Sequence, residues 1–481
     1  MPENLSAVWD RVASIPDLGK YLLVAWLVYM LGLSVWIILQ KREPVATLSW
    51  VMSLALLPYI GFLIYFLFGP QKIQRQSLRR GRSRQGMKQY SGSRDGDPQA
   101  LELSRLAQAS TGLPPSSATS AQWLVDGHAT FEALLQAIAG ARHHVNLEYY
   151  IWEPDRTGLR MRDALVECAR RGVRVRLLLD AVGAGRMRRR HLRPLLDAGG
   201  QVGWFHPTRF RPFTRPWLNL RTHRKIVVVD GRIGFVGGIN ITDTQDDSLD
   251  PGAYRDLHLR VEGPVVRSLQ LVFVEDWLYA AGCEALDFNA PEYWPRLEPG
   301  PVAAQVLVSG PDSSWEAIHR QHVAAIHEAR RRVWLVTPYF VPGEAARMAL
   351  TSAALGGLDT RLLVPRWSDS WPVTLAARSY FDELLKAGVR VYEYGPRMLH
   401  TKALLTDEDL CIVGSANFDH RSFRLNFEVS IMLRDHDSCR ALARLLEGEM
   451  LQSEPARPDR PRGLWRHRLP EAFARLFSPL L

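Results

Sequence analysis

The chain opens with two long runs of apolar positions that contain no charge. Residues 21–39 (YLLVAWLVYMLGLSVWIIL) give 19 such positions and residues 45–70 give 26 more. A helix needs about 20 residues to cross a hydrocarbon layer of about 30 Å. Only QKREP separates the runs, so the pattern predicts an antiparallel transmembrane hairpin, with helices at about 21–39 and 45–68. Trp26, Trp36, Trp50, Tyr59 and Tyr65 add interfacial aromatics, and Pro58 with Gly61 predict a kink in the second helix. Glu3, Asp10 and Asp17 precede the first run and no small-x-small site follows it, which argues against a cleaved signal peptide.

Beyond a polar, small-residue stretch read as a juxtamembrane segment and linker over 71–120, the pattern changes to short apolar strands alternating with amphipathic helices. It does so twice. VNLEYYIW, a helix from 158, VRVRLLL, a helix in HLRPLLDAGG, QVGWF and HRKIVVVDGRIGFVGGIN are followed later by VWLVTPYFV, a helix from 344, TRLLV, LAARSYFDELLKAG, VRVYEY and HTKALLTDEDLCIVGSANFD. The expectation is an α/β protein of two similar lobes, about 121–295 and 296–481, with mixed, largely parallel sheets flanked by helices.

Each copy carries H-x-K-x-x-x-x-D, as His223, Lys225, Asp230 and as His400, Lys402, Asp407, with the histidines 177 residues apart. These six are the candidate catalytic residues. On a strand, positions i and i+2 share a face, so each His and Lys look into one space. The Asp has the opposite parity and begins a turn, which favours a structural tie over contact with substrate. With a four-residue turn, the returning strand sets Asn240 opposite His223 and Asn417 opposite His400, both 17 residues on. A lone H-x-K is no signal, whereas two copies in equivalent places, each with the same downstream Asn, are. Two imidazoles can divide nucleophile and acid, and two lysines and two asparagines can donate to phosphate oxygens, which fits phosphodiester chemistry. A metal fits poorly, since two lysines would repel a dication while supplying its charge.

Composition narrows the picture. With 47% hydrophobic and 23% charged residues the chain is no disordered protein, and a mean hydropathy of -0.13 is too low for a polytopic transporter. Cys168, Cys283, Cys411 and Cys439 form no C-x-x-C pair, so they read as small apolar residues. The net charge is +10, yet Lys72, Arg75, Arg79, Arg80, Arg82, Arg84, Lys88 and Arg94 supply eight of those charges in one run beside the hairpin. Such a run fits an anionic membrane surface better than a nucleic-acid groove. It also predicts cytoplasmic termini, because only Lys41 and Arg42 occupy the turn.

These motifs resemble the phospholipase D superfamily and, more narrowly, the bacterial cardiolipin synthases. The resemblance rests on REPVATLSWVMSLALLPYIGFLIYFLFGP, YYIWEPDRTG, RTHRKIVVVDGRIGFVGGIN, YRDLHLRVEGPVV with the nearby DW, SGPDSSWE, TPYFVP, HTKALLTD with GSANFDHRSFRLNFE, and FSPLL. It implies one active site between two lobes, and a phosphatidyl transfer between two phosphatidylglycerol molecules through a phosphatidyl-histidine, giving cardiolipin and glycerol. His223 and His400 would be the catalytic pair, with Lys225, Lys402, Asn240 and Asn417 on the phosphate. Asp256 and Glu428 match the acids that orient each imidazole, and Ser415 matches a phosphate-side hydroxyl that Gly238 replaces in the first copy. No cofactor, metal or nucleic acid is implied. The implied location is the bacterial inner membrane with a cytoplasmic body, and the oligomeric state is not readable. A phospholipase D-type hydrolase, a phosphatidylserine synthase, a nuclease and a non-catalytic membrane scaffold are the competing classes. The terminal LPEAFARLFSPLL reads either as an interfacial helix or as core, with packing favoured.

Overall fold

The computed structural model describes residues 16–39, 47, 48, 51, 52, 54, 101–207, 220–281, 288, 290–313, 315–458 and 463–478. Most of the second apolar run, the basic run, Cys283 and residues 479–481 lie outside them.

Leu18–Leu39 forms one unbroken helix whose apolar residues occupy every face, long enough and apolar enough to cross a membrane. The second span lies largely outside the described residues.

The body contains two large sheets built to one plan, and a small one in which Phe340–Val341 pairs with Phe418–Asp419. The first runs Ser120–Val125, Leu257–Glu262, Ile233–Gly237, Ile226–Val229, His144–Tyr149, Arg174–Asp180, Gln201–Phe205 from edge to edge. The second runs Val302–Ser309, Glu428–Arg434, Leu410–Gly414, Ala403–Thr406, Arg332–Val336, Asp359–Pro365, Arg390–Tyr394, with Ser116–Ala118 and Ser453–Pro455 added at its edges. The motif strands sit at the middle of each sheet. IVVV and ALLT read as continuous apolar runs because both of their faces are covered. Ile226 and Val228 pack toward the opposite sheet, in one core with Val429, Ile431 and Leu405. Val227 and Val229 pack under the outer helices of their own lobe with Leu134, Leu165 and Leu195. The same alternation places Leu404 under the second lobe's helices and Ala403 and Leu405 between the sheets. Helices Val265–Ala281 and His436–Leu451 also enter the core between the sheets, through Val265, Leu269, Leu442 and Leu446, so each sheet has helices on both faces.

Two expectations need correction. The sheets are mixed, but they are largely antiparallel: in the first, only His144–Tyr149 with Arg174–Asp180 and that strand with Gln201–Phe205 pair in parallel. Parallel neighbours need a crossover helix, and only the first three strands of each repeat have one. The motif hairpin and the strand after it return directly. The linker also ends earlier than 120. Leu101–Thr111 is a helix whose Leu103 and Ala107 are buried with Ile318 and Ala325 of the second lobe, and Ser116–Ala118 pairs with Val302–Ala304. Its small polar residues concealed an amphipathic helix.

Candidate active site

Each H-x-K segment is extended chain just ahead of its central strand. Its neighbour on one side belongs to the other lobe. The His223 amide donates to the Phe427 carbonyl (2.9 Å) and the Phe427 amide to that of Arg221 (2.9 Å). In the second copy the His400 amide donates to the Arg255 carbonyl (2.7 Å) and the Arg255 amide to that of Met398 (2.8 Å). Glu428 follows Phe427 and Asp256 follows Arg255, so this exchange delivers each acid to the histidine of the opposite lobe. His223 Nδ1 lies 3.0 Å from both carboxylate oxygens of Glu428, and His400 Nδ1 lies 2.6 Å from Asp256 Oδ2. A carboxylate can only accept, so both rings carry their proton on Nδ1 and leave Nε2 as the basic, nucleophilic atom.

Residues of the other parity lock these segments in place. Arg224 pairs with Asp276 of the DW dipeptide and donates to the Glu428 carbonyl at 3.1 Å. Arg255 and Arg397, from different lobes, both bind Asp126 (2.9 and 2.7 Å), and Arg255 also binds Glu449 at 2.7 Å. These pairs are buried or nearly so, where geometry is strongly enforced because removing one partner strands a charge.

Lys225 and Lys402 are buried, each donating to the carbonyl of its own histidine, Lys225 at 2.7 Å. Burial holds the Lys225 ammonium down to about 7 and Lys402 to about 8, despite the raising effect of Glu428 and Asp256. Burial also lowers His223 to about 4, with Lys225 adding to it and Glu428 opposing it. His400 is lowered for the same reason, with Lys402 as the adding charge and Asp256 as the opposing one. Burial pushes both acids up, but their His and Lys partners outweigh it and hold Asp256 and Glu428 below the usual range. Lys402 acts on His223, and Lys225 on His400. The two motifs thus share one electrostatic site.

Asp230 and Asp407 leave the candidate catalytic set. Asp230 accepts from the amides of Arg142, His143 and His144 at 2.8 to 2.9 Å, and Asp407 from those of Arg330, Arg331 and Arg332 at 2.7 to 3.1 Å. They tie the motif hairpin to the start of the neighbouring strand, as their parity implied. Both take a positive φ, 53° and 51°, which Asp tolerates. The turn is three residues long, not four: Val229 faces Ile233 and Thr406 faces Leu410. The pairing opposite His223 and His400 is therefore shifted by one from Asn240 and Asn417, and the ladder ends before it reaches either histidine.

Asn240 Oδ1 accepts from the Ile151 amide at 3.1 Å, while Asn417 Oδ1 is buried with no hydrogen-bond partner among the described residues. Ser415 was expected on the phosphate side. Its hydroxyl instead donates to Glu428 and accepts from the Val429 amide at 3.0 Å, making it a support for that acid. Gly238 stands there in the first copy because a Cβ would lie 2.3 Å from Asp256 Oδ1. Sequence reading missed the aromatic walls. Tyr150 lies 5.0 Å from the His223 ring, and Tyr254 and Tyr339 lie 5.6 and 6.5 Å from that of His400. Tyr150 and Tyr339 stand just past the end of a central strand, a position that could have marked them. Cys168, Cys411 and Cys439 are buried and free.

The buried neutral imidazoles predict acid lability. His144 and His258 are lowered to about 3 and His223 and His322 to about 4, all chiefly by burial, against 6.5 when unfolded. Below pH 6.5 the unfolded chain binds more protons than the folded one, so stability falls as pH drops toward 4. Thermal melts at pH 7.5, 6 and 5 are expected to show a progressively lower Tm, and a Tm flat across that range refutes this.

Comparison with known proteins places these features in a family. A family profile described as "Cardiolipin synthase, PLD-like domain" matches residues 134–248 and 323–450, and one described as "Phospholipase_D-nuclease N-terminal" matches residues 23–70. The chain is 40% identical to "Cardiolipin synthase 2" of Bacillus anthracis over 92% of its length and 88% of that protein's. It is 39% identical to "Cardiolipin synthase" of Geobacillus sp. (strain WCH70), covering 92% of this chain and 90% of that one. Among solved structures, phosphatidylserine synthase of Haemophilus influenzae Rd KW20 superposes with a TM-score of 0.59 at 14% identity, covering 79% of this chain and 98% of that one, which speaks to the fold.

Proposed function

The chain belongs to the cardiolipin synthase family of phospholipase D-like proteins, and from that premise we propose that it joins two phosphatidylglycerol molecules into cardiolipin, releasing glycerol. The observation that carries this reading is the crossed pair of buried His–carboxylate couples with two lysines between them. Nε2 of one histidine attacks the phosphorus of the first lipid, and the bond to the glycerol oxygen breaks. The partner enters this step as an imidazolium, with a second proton on Nε2 held by the bound phosphate's negative charge; it gives that proton to the oxygen and becomes neutral. A phosphatidyl-histidine remains. The partner then takes the proton from the terminal hydroxyl of a second phosphatidylglycerol, whose oxygen attacks phosphorus and frees the first histidine. Lys225, Lys402, Asn240 and Asn417 hold the non-bridging oxygens, and an arriving phosphodiester favours the charged form of lysines that burial otherwise discourages. Asp256 and Glu428 orient the rings.

The membrane end completes this reading. Two spans, about 21–39 and 45–68, carry the body on the cytoplasmic side, supported by the apolar helix Leu18–Leu39, the match over residues 23–70 and the basic run beyond it. The first lobe covers about 121–295 and the second 296–481, with 101–118 serving the second lobe's sheet.

The reaction exchanges one phosphodiester for another, so it has little driving force and runs both ways. Enzyme incubated with radiolabelled glycerol and unlabelled cardiolipin is expected to put label into phosphatidylglycerol. Phosphatidic acid as sole product, with no label in lipid, makes the protein a hydrolase instead.

A further inference from the structure

Two exposed tryptophans of the second lobe flank a residue that is linked to the active site. Trp367 and Trp371 are 62% and 70% exposed, and they bracket Asp369, which accepts from the Tyr339 hydroxyl at 2.7 Å. Tyr339 in turn faces the His400 ring. The Trp371–Arg378 helix packs against the C-terminal helix Leu469–Leu476, and Arg378 lies 4.4 Å over the Trp367 ring. That C-terminal helix was expected to pack, and it does, but with its small face. Ala474 and Glu471 are buried, Arg475 lies over the Tyr380 ring, and Ser478 meets the Tyr380 hydroxyl at 3.0 Å. Its apolar residues point outward: Phe473 is 61% exposed, Leu476 73%, and Trp465 in the turn before it 77%.

A helix that buries alanine and exposes Leu, Phe and Trp raises the question of what covers them. The charges around the patch give the answer. Between Leu464 and Leu476 the basic residues are Arg466, Arg468 and Arg475, and the only acid, Glu471, is buried. Tryptophan, phenylalanine and leucine flanked by arginine match the apolar boundary and anionic headgroups of a bilayer. The site also requires such contact, because a lipid phosphodiester lies at headgroup depth while its acyl chains stay in the membrane.

We propose that the Trp367–Trp371 segment and the C-terminal helix form a second, monotopic membrane contact that seats the mouth of the active site on an anionic bilayer. This rests on the reading that the substrate is a membrane phospholipid. The face holds the His400 side of the site against the headgroups, so a lipid enters without leaving the membrane by its full length. A second copy of the chain is the rival occupant of the same face.

The test uses the full chain reconstituted in vesicles of phosphatidylglycerol and phosphatidylcholine, in a Cys283→Ser background. A fluorophore is attached to Trp371→Cys, Phe473→Cys or, as control, Glu408→Cys, which lies at the turn end of the motif hairpin away from His400. Lipids with a quencher on the acyl chain are expected to quench the first two and spare the control. Absence of quenching at both positions, or equal quenching at all three, overturns the proposal. So does shielding that disappears as protein is diluted into excess lipid, which identifies a second copy. Replacing Trp371, Phe473 and Leu476 together by serine is expected to lower the rate on vesicles about tenfold, with the rate on monomeric short-chain phosphatidylglycerol unchanged; equal loss on both refutes the docking role. Product identity, cardiolipin or phosphatidic acid, is read from the same vesicles and reports on the reaction independently of where the fluorophores sit.

Discussion

Replacing either His223 or His400 by alanine lowers turnover on the order of 10⁴-fold or more, and the double variant is scarcely slower than either single one. The reason is that the two imidazoles act as one unit. Without the nucleophile no phosphatidyl-enzyme forms, and without the acid the glycerol oxygen must leave as an alkoxide. Each ring sits in its own lobe, held on Nδ1 by an acid of the other, so neither can take over the other's position. Single-turnover assays with labelled phosphatidylglycerol separate the two losses. The variant lacking the nucleophile traps no label on protein after a neutral detergent quench, which preserves the acid-labile P–N bond, whereas the variant lacking the acid still traps label from a lipid analogue with a leaving group that needs no proton. A single variant that retains a tenth of the wild-type rate refutes the two-histidine mechanism.

Glu428→Gln and Asp256→Asn are expected to lower kcat on the order of 10²- to 10⁴-fold with little change in KM, because an amide can present its NH2 to Nδ1 and select the wrong tautomer. The partners are crossed, and that makes the prediction specific. Glu428 raises the pKa of His223, which burial otherwise holds down to about 4. Its removal lowers that pKa further and moves the limb of the kcat/KM profile that reports His223 to lower pH. Glu428→Asp keeps the charge and is expected to restore part of the rate and the position of the limb. A Glu428→Gln protein with a normal melt and an unshifted limb shows that the acid does not act on the imidazole. Pairing is tested directly by the ring resonances: Glu428→Gln perturbs His223 and spares His400, and Asp256→Asn does the reverse. Perturbation within the same lobe instead contradicts the crossed arrangement.

Much of the site could be read from the chain because its signals are local. The paired H-x-K-x-x-x-x-D runs, the matched asparagines and the apolar motif strands need only neighbours along the sequence to be recognised. The parity of Asp230 and Asp407 was enough to turn them away from the histidines, since alternation along a strand is a property of the backbone. Length and the absence of charge marked residues 21–39 as a membrane helix, and the helix Leu18–Leu39 spans that run. The reading went wrong where the outcome depended on contact between distant segments. A count of strands and helices cannot tell a hairpin return from a crossover, so the sheets were expected to be more parallel than they are.

The sequence by itself determined the chemistry and the repeat: which residue types meet phosphate, and that they occur twice. Only the tertiary structure decided who holds whom. Asp256 lies 33 residues after His223 and Glu428 lies 28 after His400, an order that points to partners within each lobe. Backbone pairing of Phe427 with the first motif and of Arg255 with the second reverses that assignment. Such pairing carries no side-chain signature, since any residue's amide and carbonyl can make it, and therefore it is written nowhere in the order of the residues.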